Sequence, residues 1–561
     1  MLNEVNTTLE ARWCSSLVKV FCDAAPVAEP YTRCAALRGE AVSFQLAYHL
    51  QGINYVDNAK LSVESPFGKA LSVRQVKSVA VDYPGADFDD DYLRTAPGLY
   101  PDLLEELPAS GEILDCRGSW NSLWFKVDVP KDFAPGVYQV KATVKATFAN
   151  AALTPLVQEL CMEIEVLPAV LPQQTLKYTN WFHCDCLASY YDVPLLSEEH
   201  WRIIGNFMKA AASHGMTMIL TPIFTPPLDT EVGCERPTVQ LVDVAYRRGK
   251  YVFGFEKLAR WFKLAARCGI RYFEMAHLFT QWGARATPKI MATVNGRLKR
   301  IFGWDVASDS REYTEFLEAF LPALAAFLRK CHHASCVYFH CSDEPNADHL
   351  ETYSKAVGLM RRLLPGFKIM DALTHVEYFR QGIVTTPVPL VTNLEEFIAA
   401  DVPERWTYTC CSPTQTYTNR FIAMSSTRNR VLGAQLYYFG VEGFLHWGFD
   451  FYYKRHSRGL LNPYLSQSSD GAFPAGDSFV VYPGFNGEPI DSLRLEVFSE
   501  GLQDQRVLQL LEGKVGRPAL MAMLERFAPE GHFTMASYPR GEKAMLALRA
   551  EINRLVRENF A

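Results

Sequence analysis

The sequence lacks the features that mark exported, membrane-spanning and nucleic-acid-binding proteins. Residues 1–13 carry acidic and polar side chains and no apolar core of a signal peptide. No run of about 18 apolar residues occurs, so no transmembrane helix is expected. The formal net charge is −6, which leaves no basic surplus to neutralise phosphates. These absences predict a cytoplasmic protein that binds neither nucleic acid nor a membrane.

The 14 cysteines include no CxxC pair. Cys184 and Cys186 are two positions apart, and Cys410 and Cys411 are adjacent. Without an export signal, we expect free thiols in a reducing compartment. A zinc site at Cys184 and Cys186 with His183 is the alternative, but its spacing matches no standard metal pattern.

Apolar and polar residues alternate through the first 170 residues, which predicts antiparallel strands with one solvated face. Turn signals such as Pro135-Gly136 separate the segments. Because 561 residues are too many for one core, we expect several domains, the first of them a β-sandwich. The clearest strand segments are Ala41–Tyr48, Ser122–Val129, Val137–Val144 and Leu160–Val166.

From about Leu176, short apolar segments alternate with helical patterns, an order typical of a parallel sheet. Eight such strands predict a (β/α)8 barrel, and a doubly wound sheet is the alternative. The predicted strands are Lys177–Phe182, Thr217–Leu220, Arg271–Met275, Cys336–Phe339, Lys368–Asp371, Pro389–Val391, Trp406–Thr409 and Gly443–Trp447.

Capping and stop signals bound the predicted helices, for example Ser197 at a start and Gly269 at an end. We therefore divide the chain into a β-sandwich (residues 1–170), a (β/α)8 barrel (171–515) and a short helical C-terminal extension (516–561). The predicted helices are Ser197–His214, Phe255–Cys268, Arg311–Lys330, Ala347–Leu364, Leu495–Leu511, Leu520–Phe527 and Glu542–Val556.

Two adjacent acids, Asp343 and Glu344, follow the fourth predicted strand, at the end of a barrel where active sites lie. The apolar strand before them predicts a partly desolvated cleft. Desolvation and mutual repulsion raise a carboxyl pKa, so that one acid of such a pair can keep its proton near neutral pH. Alternatively, Ser342 or Asp343 caps the next helix, with Pro345 in its first turn. Both interpretations can hold, because capping uses only one acid.

Other predicted strand ends also carry polar and aromatic side chains. Taken singly, each fits a packed core residue or a hydrogen-bonded histidine. Together they supply the aromatic walls and hydrogen-bonding groups that a sugar needs. These residues are His183, Asp185, His277, Trp282, Lys289, Tyr408, Trp447 and Asp450.

At Ser342-Asp-Glu-Pro345 the sequence resembles glycoside hydrolase family 123, the β-N-acetylgalactosaminidases, and the wider group around it. The likeness covers the barrel and, in arrangement, the N-terminal sandwich. The segments that support it are Phe224–Thr230, Glu235–Gln240, His277–Gly283, Gly443–Trp447, Gly476–Gly484 and Ser492–Arg494.

The resemblance implies an exo-acting retaining glycosidase that releases terminal β-linked N-acetylgalactosamine (GalNAc), with the substrate's 2-acetamido oxygen as nucleophile. It implies that Asp343 accepts a hydrogen bond from the acetamido N–H. Glu344 then protonates the glycosidic oxygen and later deprotonates water. Adjacent strand residues face opposite ways, so the strand must end before this pair. No metal or organic cofactor is expected.

For the remaining candidates, predicted location alone suggests roles. Trp447 forms the floor under the sugar, and Tyr408 or Tyr437 donates a hydrogen bond to the acetamido oxygen. The sugar hydroxyls are bound by His183, Asp185, His277, Trp282 and Lys289.

Two other functions stay open on the sequence. One is a glycosidase of the same fold that acts on β-linked N-acetylglucosamine (GlcNAc) or on a sugar without an acetamido group. The other is a non-catalytic carbohydrate-binding protein, which the presence of both acids disfavours. In each case the expected partner is a small oligosaccharide or glycoconjugate, and a homo-oligomer is compatible with the sequence.

Overall fold

The computed structural model describes residues 7–52, 56–113, 118–345 and 347–560. The first part is rich in strands, as the alternating pattern predicts. These strands are β1 (Thr8–Ser15), β2 (Arg33–Arg38), β3 (Ala41–Gln51), β4 (Val56–Glu64), β5 (Leu71–Val81), β6 (Gly98–Glu106), β7 (Trp120–Asp128), β8 (Gly136–Phe148) and β9 (Leu156–Val170).

The nine strands form two sheets that pack face to face. One sheet has the order β1-β3-β7-β5-β6 and the other β2-β9-β8-β4. Alternate side chains of both sheets meet in one apolar core, where Trp13, Phe44 and Phe125 pack ring against ring. This arrangement is the β-sandwich expected from the period-two pattern.

The rest of the chain mixes strands and helices. The strands are β10 (Lys177–Asn180), β11 (Met218–Thr221), β12 (Asp243–Arg247), β13 (Lys250–Gly254), β14 (Tyr272–Met275), β15 (Ile290–Val294), β16 (Arg297–Phe302), β17 (Val337–Phe339), β18 (Lys368–Ala372), β19 (Thr386–Val388), β20 (Trp406–Thr409), β21 (Gly443–His446), β22 (Val481–Pro483) and β23 (Pro489–Asp491). The helices are α1 (Cys184–Tyr190), α2 (Glu198–Ser213), α3 (Glu256–Cys268), α4 (Arg311–Lys330), α5 (Leu350–Leu363), α6 (Glu377–Arg380), α7 (Leu394–Ala399), α8 (Ser426–Tyr438), α9 (Leu493–Val515), α10 (Arg517–Phe527) and α11 (Gly541–Phe560).

Eight parallel strands form a nearly closed barrel, in the order β19-β18-β17-β14-β11-β10-β21-β20. Tyr408 joins the two edge strands, because its N–H donates to Pro389 O at 2.9 Å and its carbonyl accepts from Val391 N at 3.0 Å. All eight carboxyl ends therefore open on one face. The (β/α)8 prediction is confirmed, and the doubly wound alternative is wrong.

The sixth barrel strand is the one misplaced prediction among the eight. The strand is Thr386–Val388, whereas the predicted segment Pro389–Val391 supplies the hydrogen bonds that close the barrel. Helix signals were more accurate. Ser197 caps α2 by accepting from His200 N, and α3 stops at Gly269, whose φ of 102° suits glycine.

Two features were not predicted. Strands β12, β13, β15 and β16 form a separate four-stranded sheet, inserted in the loops after β11 and β14. Helix α8 is buried on every side and packs along α9. Within the described ranges, none of the helices is both long enough and apolar enough to cross a bilayer.

Candidate active site

A cleft of about 200 Å³ opens at the carboxyl face of the barrel. Its walls come from the segments that follow β10, β11, β14, β17, β20 and β21, so they converge from separate parts of the chain. Aromatic and acidic side chains dominate it. The wall includes Trp181, Trp282, Asp343, Glu344, Tyr408 and Trp447, and Asp229, Arg455 and His456 also line the cleft.

Asp343 and Glu344 lie side by side in this cleft because the strand has ended before them. β17 stops at Phe339, and Glu344 has a left-handed φ of 44°. Trp282 N donates to Asp343 O at 2.9 Å, and Glu344 N donates to Ala372 O at 3.2 Å. The kink breaks the strand alternation, and the two bonds fix both carboxyl groups on one side.

The described residues do not support the helix-cap interpretation of this segment. The next regular helix, α5, begins at Leu350 and has no side-chain cap. The Ser342 hydroxyl donates instead to Thr280 O at 2.8 Å, back into the barrel. Among the described residues, neither Asp343 nor Ser342 therefore caps α5.

The environment of the pair sets different roles for its two acids. Burial raises the pKa of Asp343 well above its ordinary value, and repulsion from Glu344 raises it further. The charge on His340 acts in the opposite direction. Glu344 is exposed to the cleft, and Tyr408 Oη donates to its Oε1 at 2.6 Å.

His340 carries a positive charge beneath the pair. Its Nε2 lies 3.2 Å from Glu274 Oε1, and its Nδ1 lies 3.2 Å from Asp371 Oδ1, with all three side chains fully buried. Burial lowers the pKa of His340, but hydrogen bonding and charge from Asp371 and Glu274 outweigh it and raise that pKa to about 9.

Three of the predicted sugar-binding residues line the cleft: Trp282, Tyr408 and Trp447. The Trp447 indole is half-buried, and its Nε1 donates to Asp477 Oδ2 at 2.8 Å, which fixes the ring in the wall. Asp477 was not predicted, because it follows a Gly/Ser/Pro-rich stretch that resembles an ordinary loop.

Three other candidates lie behind the wall, in a buried network around Arg236. The Arg236 guanidinium donates to both Asp185 oxygens, at 3.0 and 2.7 Å, and to His183 Nδ1 at 3.1 Å. Burial and the Arg236 charge lower the pKa of His183 to about 3, so it stays neutral, and its Nε2 donates to Trp447 O at 2.8 Å. Asp450 accepts from His183 N at 2.7 Å, and burial raises its pKa to about 8. These residues support the wall and do not line the cleft.

The remaining candidates lie elsewhere. His277 is buried and stacks on His340 with ring centroids 4.3 Å apart. Lys289 pairs with Glu235 at 2.7 Å, in a side pocket away from the acids.

Tyr437 lies at the opposite, amino-terminal end of the barrel, beside a groove of about 670 Å³. It precedes β21, and only residues that follow a parallel strand reach the carboxyl face. Tyr408 is therefore the tyrosine available to a sugar in the cleft.

Strained backbone marks four cleft residues, and two of them, Asp229 and His456, were not selected by strand-end reasoning. Asp229, Trp282, Glu344 and His456 all line the cleft and have φ values of 38°, 59°, 44° and 60°. Such conformations are costly for non-glycine residues and concentrate at functional sites. No local sequence signal gives a φ value, so this feature required the structure.

Metal-binding potential lies outside the cleft. Among the described residues, two groups bring three ligand atoms together: His277 with His340 and Asp371, and His214 with Asp491 and Glu496. In the first group His340 lies between Glu274 and Asp371, which raise its pKa to about 9, so a cation would have to displace its proton. The alternative set of Cys184, Cys186 and His183 is not one of these groups; both thiols are buried in the apolar core.

A parallel barrel with adjacent acids in an aromatic cleft is compatible with glycoside hydrolysis. The family model of the glycoside hydrolase 123 catalytic domain matches residues 181–511, which is more than half of the chain. The chain therefore belongs to glycoside hydrolase family 123.

Among solved structures, the chain is similar to a family 123 glycoside hydrolase from Clostridium perfringens that was analysed for glycolipid glycan hydrolysis. The TM-score is 0.72 at 16% identity, over 98% of each chain. A family 2 glycosyl hydrolase from Bacteroides cellulosilyticus gives a TM-score of 0.27 at 12% identity, over 82% of this chain and 48% of that chain, and supports no inference. No curated protein matches.

Proposed function

We propose that this glycoside hydrolase is exo-acting, releases terminal β-linked GalNAc and retains the anomeric configuration through participation of the substrate's acetamido group. The observation that carries the proposal is the pair Asp343 and Glu344, two adjacent acids fixed in one cleft with different surroundings. Family membership and the fold shared with the Clostridium enzyme support it.

In the first step Glu344 gives its proton to the glycosidic oxygen, and the bond from that oxygen to the anomeric carbon breaks. The acetamido carbonyl oxygen forms a bond to the same carbon, which gives an oxazolinium ion. Tyr408 Oη, 2.6 Å from Glu344 Oε1, stabilises the carboxylate that remains. In the second step water attacks the anomeric carbon and gives a proton to Glu344. The bond between that carbon and the acetamido oxygen breaks, so the oxazolinium ring opens and the sugar is released with net retention.

In this scheme Asp343 accepts a hydrogen bond from the acetamido N–H and so orients the acetamido carbonyl oxygen. Burial and the charge of Glu344 raise the pKa of Asp343, so the scheme requires this carboxyl to pass its proton to Glu344 as the acetamido N–H binds. The ionised Asp343 then gains most when positive charge develops beside it. This electrostatic stabilisation by Asp343 is stronger in the transition state than in the ground state, and only such a difference lowers the activation barrier. Trp447, held by Asp477, provides the flat apolar surface under the sugar ring.

Two substitutions test the division of labour on aryl β-GalNAc. Glu344→Gln and Asp343→Asn should each lower kcat by about 10²–10⁴-fold while circular dichroism stays unchanged. Glu351→Gln is the matched control, since Glu351 is an exposed acid on α5 that pairs with Lys355. Near-wild-type turnover by Glu344→Gln would rule out its role as the proton donor.

A panel of aryl β-GalNAc, β-GlcNAc and β-galactoside separates the proposal from its alternatives. We expect β-GalNAc to be hydrolysed fastest. Preference for the β-galactoside would remove the need for an acetamido partner at Asp343. Binding of all three without turnover would indicate a carbohydrate-binding protein.

A further inference from the structure

Two exposed side chains in the cleft, Trp282 and Arg455, have no role in the proposed reaction at the terminal sugar. Trp282 is 39% exposed although it is a large apolar side chain, and Arg455 is exposed beside it in the same cleft. We consider these two side chains as a binding site for the sugar beyond the scissile bond, so the inference rests on the proposed glycosidase function.

Trp282 is held rigidly next to the acid pair. Its backbone N–H donates to Asp343 O at 2.9 Å, and its φ is 59°. The next residue, Gly283, has a φ of 111°, and a Cβ there would collide with the His349 ring. The backbone of this turn is therefore tightly constrained, and the indole makes an edge-to-face contact with His456 at a centroid distance of 5.7 Å.

The turn that carries Arg455 is anchored across the mouth, to the loop after β11. His456 N donates to Asp229 Oδ2 at 2.8 Å, and Ser457 Oγ donates to Asp229 O at 2.7 Å. Glu231 N donates to His456 O at 3.0 Å. The position of the Arg455 backbone is thus fixed relative to the acids.

Burial raises the pKa of Asp229, and the charge of Arg455 acts against this larger effect. In the part of the chain that the structure describes, its guanidinium has neither an ion-pair partner nor a hydrogen-bond acceptor. Its neighbours differ, because Lys454 pairs with Asp470 and Arg458 with Glu231. A single unpaired cation thus lies at the entrance of a cleft whose own acids, Asp343, Glu344 and Asp229, repel anions.

We propose that Trp282 and Arg455 form an aglycone subsite that selects substrates whose second sugar carries a carboxylate or sulfate group. The indole stacks on the face of that sugar, and the guanidinium binds the anion through two parallel hydrogen bonds. The substrate class is therefore an acidic oligosaccharide with GalNAc at its non-reducing end.

Three disaccharides test the subsite directly. They carry β-GalNAc on O4 of glucose, of glucuronic acid and of glucose 6-sulfate, so they differ only at C6 of the second sugar. For the wild-type enzyme we expect kcat/KM for at least one acidic disaccharide to exceed that for the neutral one by roughly tenfold, and the two acidic forms distinguish carboxylate from sulfate. Arg455→Gln should reduce this ratio to about one.

Lys454→Gln is the matched control, because it removes one positive charge from the adjacent residue, outside the cleft lining. It should keep the acidic preference. A wild-type ratio near one, or an equal loss of preference in Lys454→Gln, would overturn the inference. Aryl β-GalNAc hydrolysis is measured in parallel: if it proceeds while the ratio is one, the subsite is refuted and the proposed function stands. No hydrolysis of aryl β-GalNAc would refute both.

Discussion

Replacing His340 with glutamine tests the buried charge beneath the acid pair. In the native protein the imidazolium lies 3.2 Å from Glu274 and 3.2 Å from Asp371, with no exposure of any of the three side chains. His277 stacks on its ring, and Tyr353 Oη donates to Asp371 at 2.5 Å. Glutamine keeps a hydrogen-bonding group but leaves two buried carboxylates without a cation.

The magnitude follows from the pKa of His340, which is raised from 6.5 to about 9. A difference of about 2.5 units at roughly 1.36 kcal/mol per unit corresponds to about 3 kcal/mol of folding free energy. Because the folded-state pKa is the higher one, this stabilisation is fully present below pH 6.5. It is lost as the pH rises from 6.5 through 9.

Urea unfolding followed by tryptophan fluorescence at pH 6, 7, 8 and 9 measures this contribution of His340 to the free energy of unfolding. The difference in unfolding free energy between wild type and His340→Gln should shrink by about 3 kcal/mol across that range. His375→Gln, at an exposed histidine, should show no such change. Parallel curves for wild type and His340→Gln would refute the charged state of His340.

Two further substitutions probe the cleft wall and its support. Tyr408→Phe removes the donor to Glu344 Oε1, and we expect kcat on aryl β-GalNAc to fall by roughly tenfold or more with the fold intact; an unchanged kcat would show that the hydrogen bond is not used. Asp185→Asn leaves the buried Arg236 guanidinium without its charged partner, so the unfolding free energy should fall by about 3–5 kcal/mol in urea. Glu199→Gln, which breaks an exposed pair, should change it by less than about 1 kcal/mol, and equal effects of the two would contradict the buried-charge argument.

The sequence predicted the fold where one face of each element is polar. Alternation identified β8 because one of its faces meets solvent. Arg311–Lys330 has the same bounds as α4 because its buried side chains recur on one face. Helix α8 has no polar face to reveal it. Its arginines are buried and paired, Arg428 with Asp89 and Asp91, so their charge gave no amphipathic pattern.

The inserted sheet did have a local signal. Asn295-Gly296 lies between β15 and β16, and this dipeptide is typical of a tight hairpin. The three-part division at residues 170 and 515 stays a prediction. β9 ends at Val170 and α9 at Val515.

Strand-end position identified the acid pair but could not give side-chain direction. His183 and Asp450 follow barrel strands, yet they turn behind the wall because Arg236 and the Trp447 carbonyl bind there. Arg236 itself is distant in sequence from both strand ends. Contacts between residues so far apart leave no periodic pattern in the sequence. The buried network that supports the cleft wall was therefore visible only in the structure.

The central claim is that the substrate's own acetamido oxygen is the nucleophile, oriented by Asp343. Its most direct test is kcat/KM on aryl β-GalNAc in which the N-acetyl group carries zero, one, two or three fluorine atoms. Fluorine withdraws electrons from the carbonyl oxygen, so we predict a steep fall in kcat/KM along the series for the wild-type enzyme. A rate that does not depend on fluorination would contradict acetamido participation and the role of Asp343.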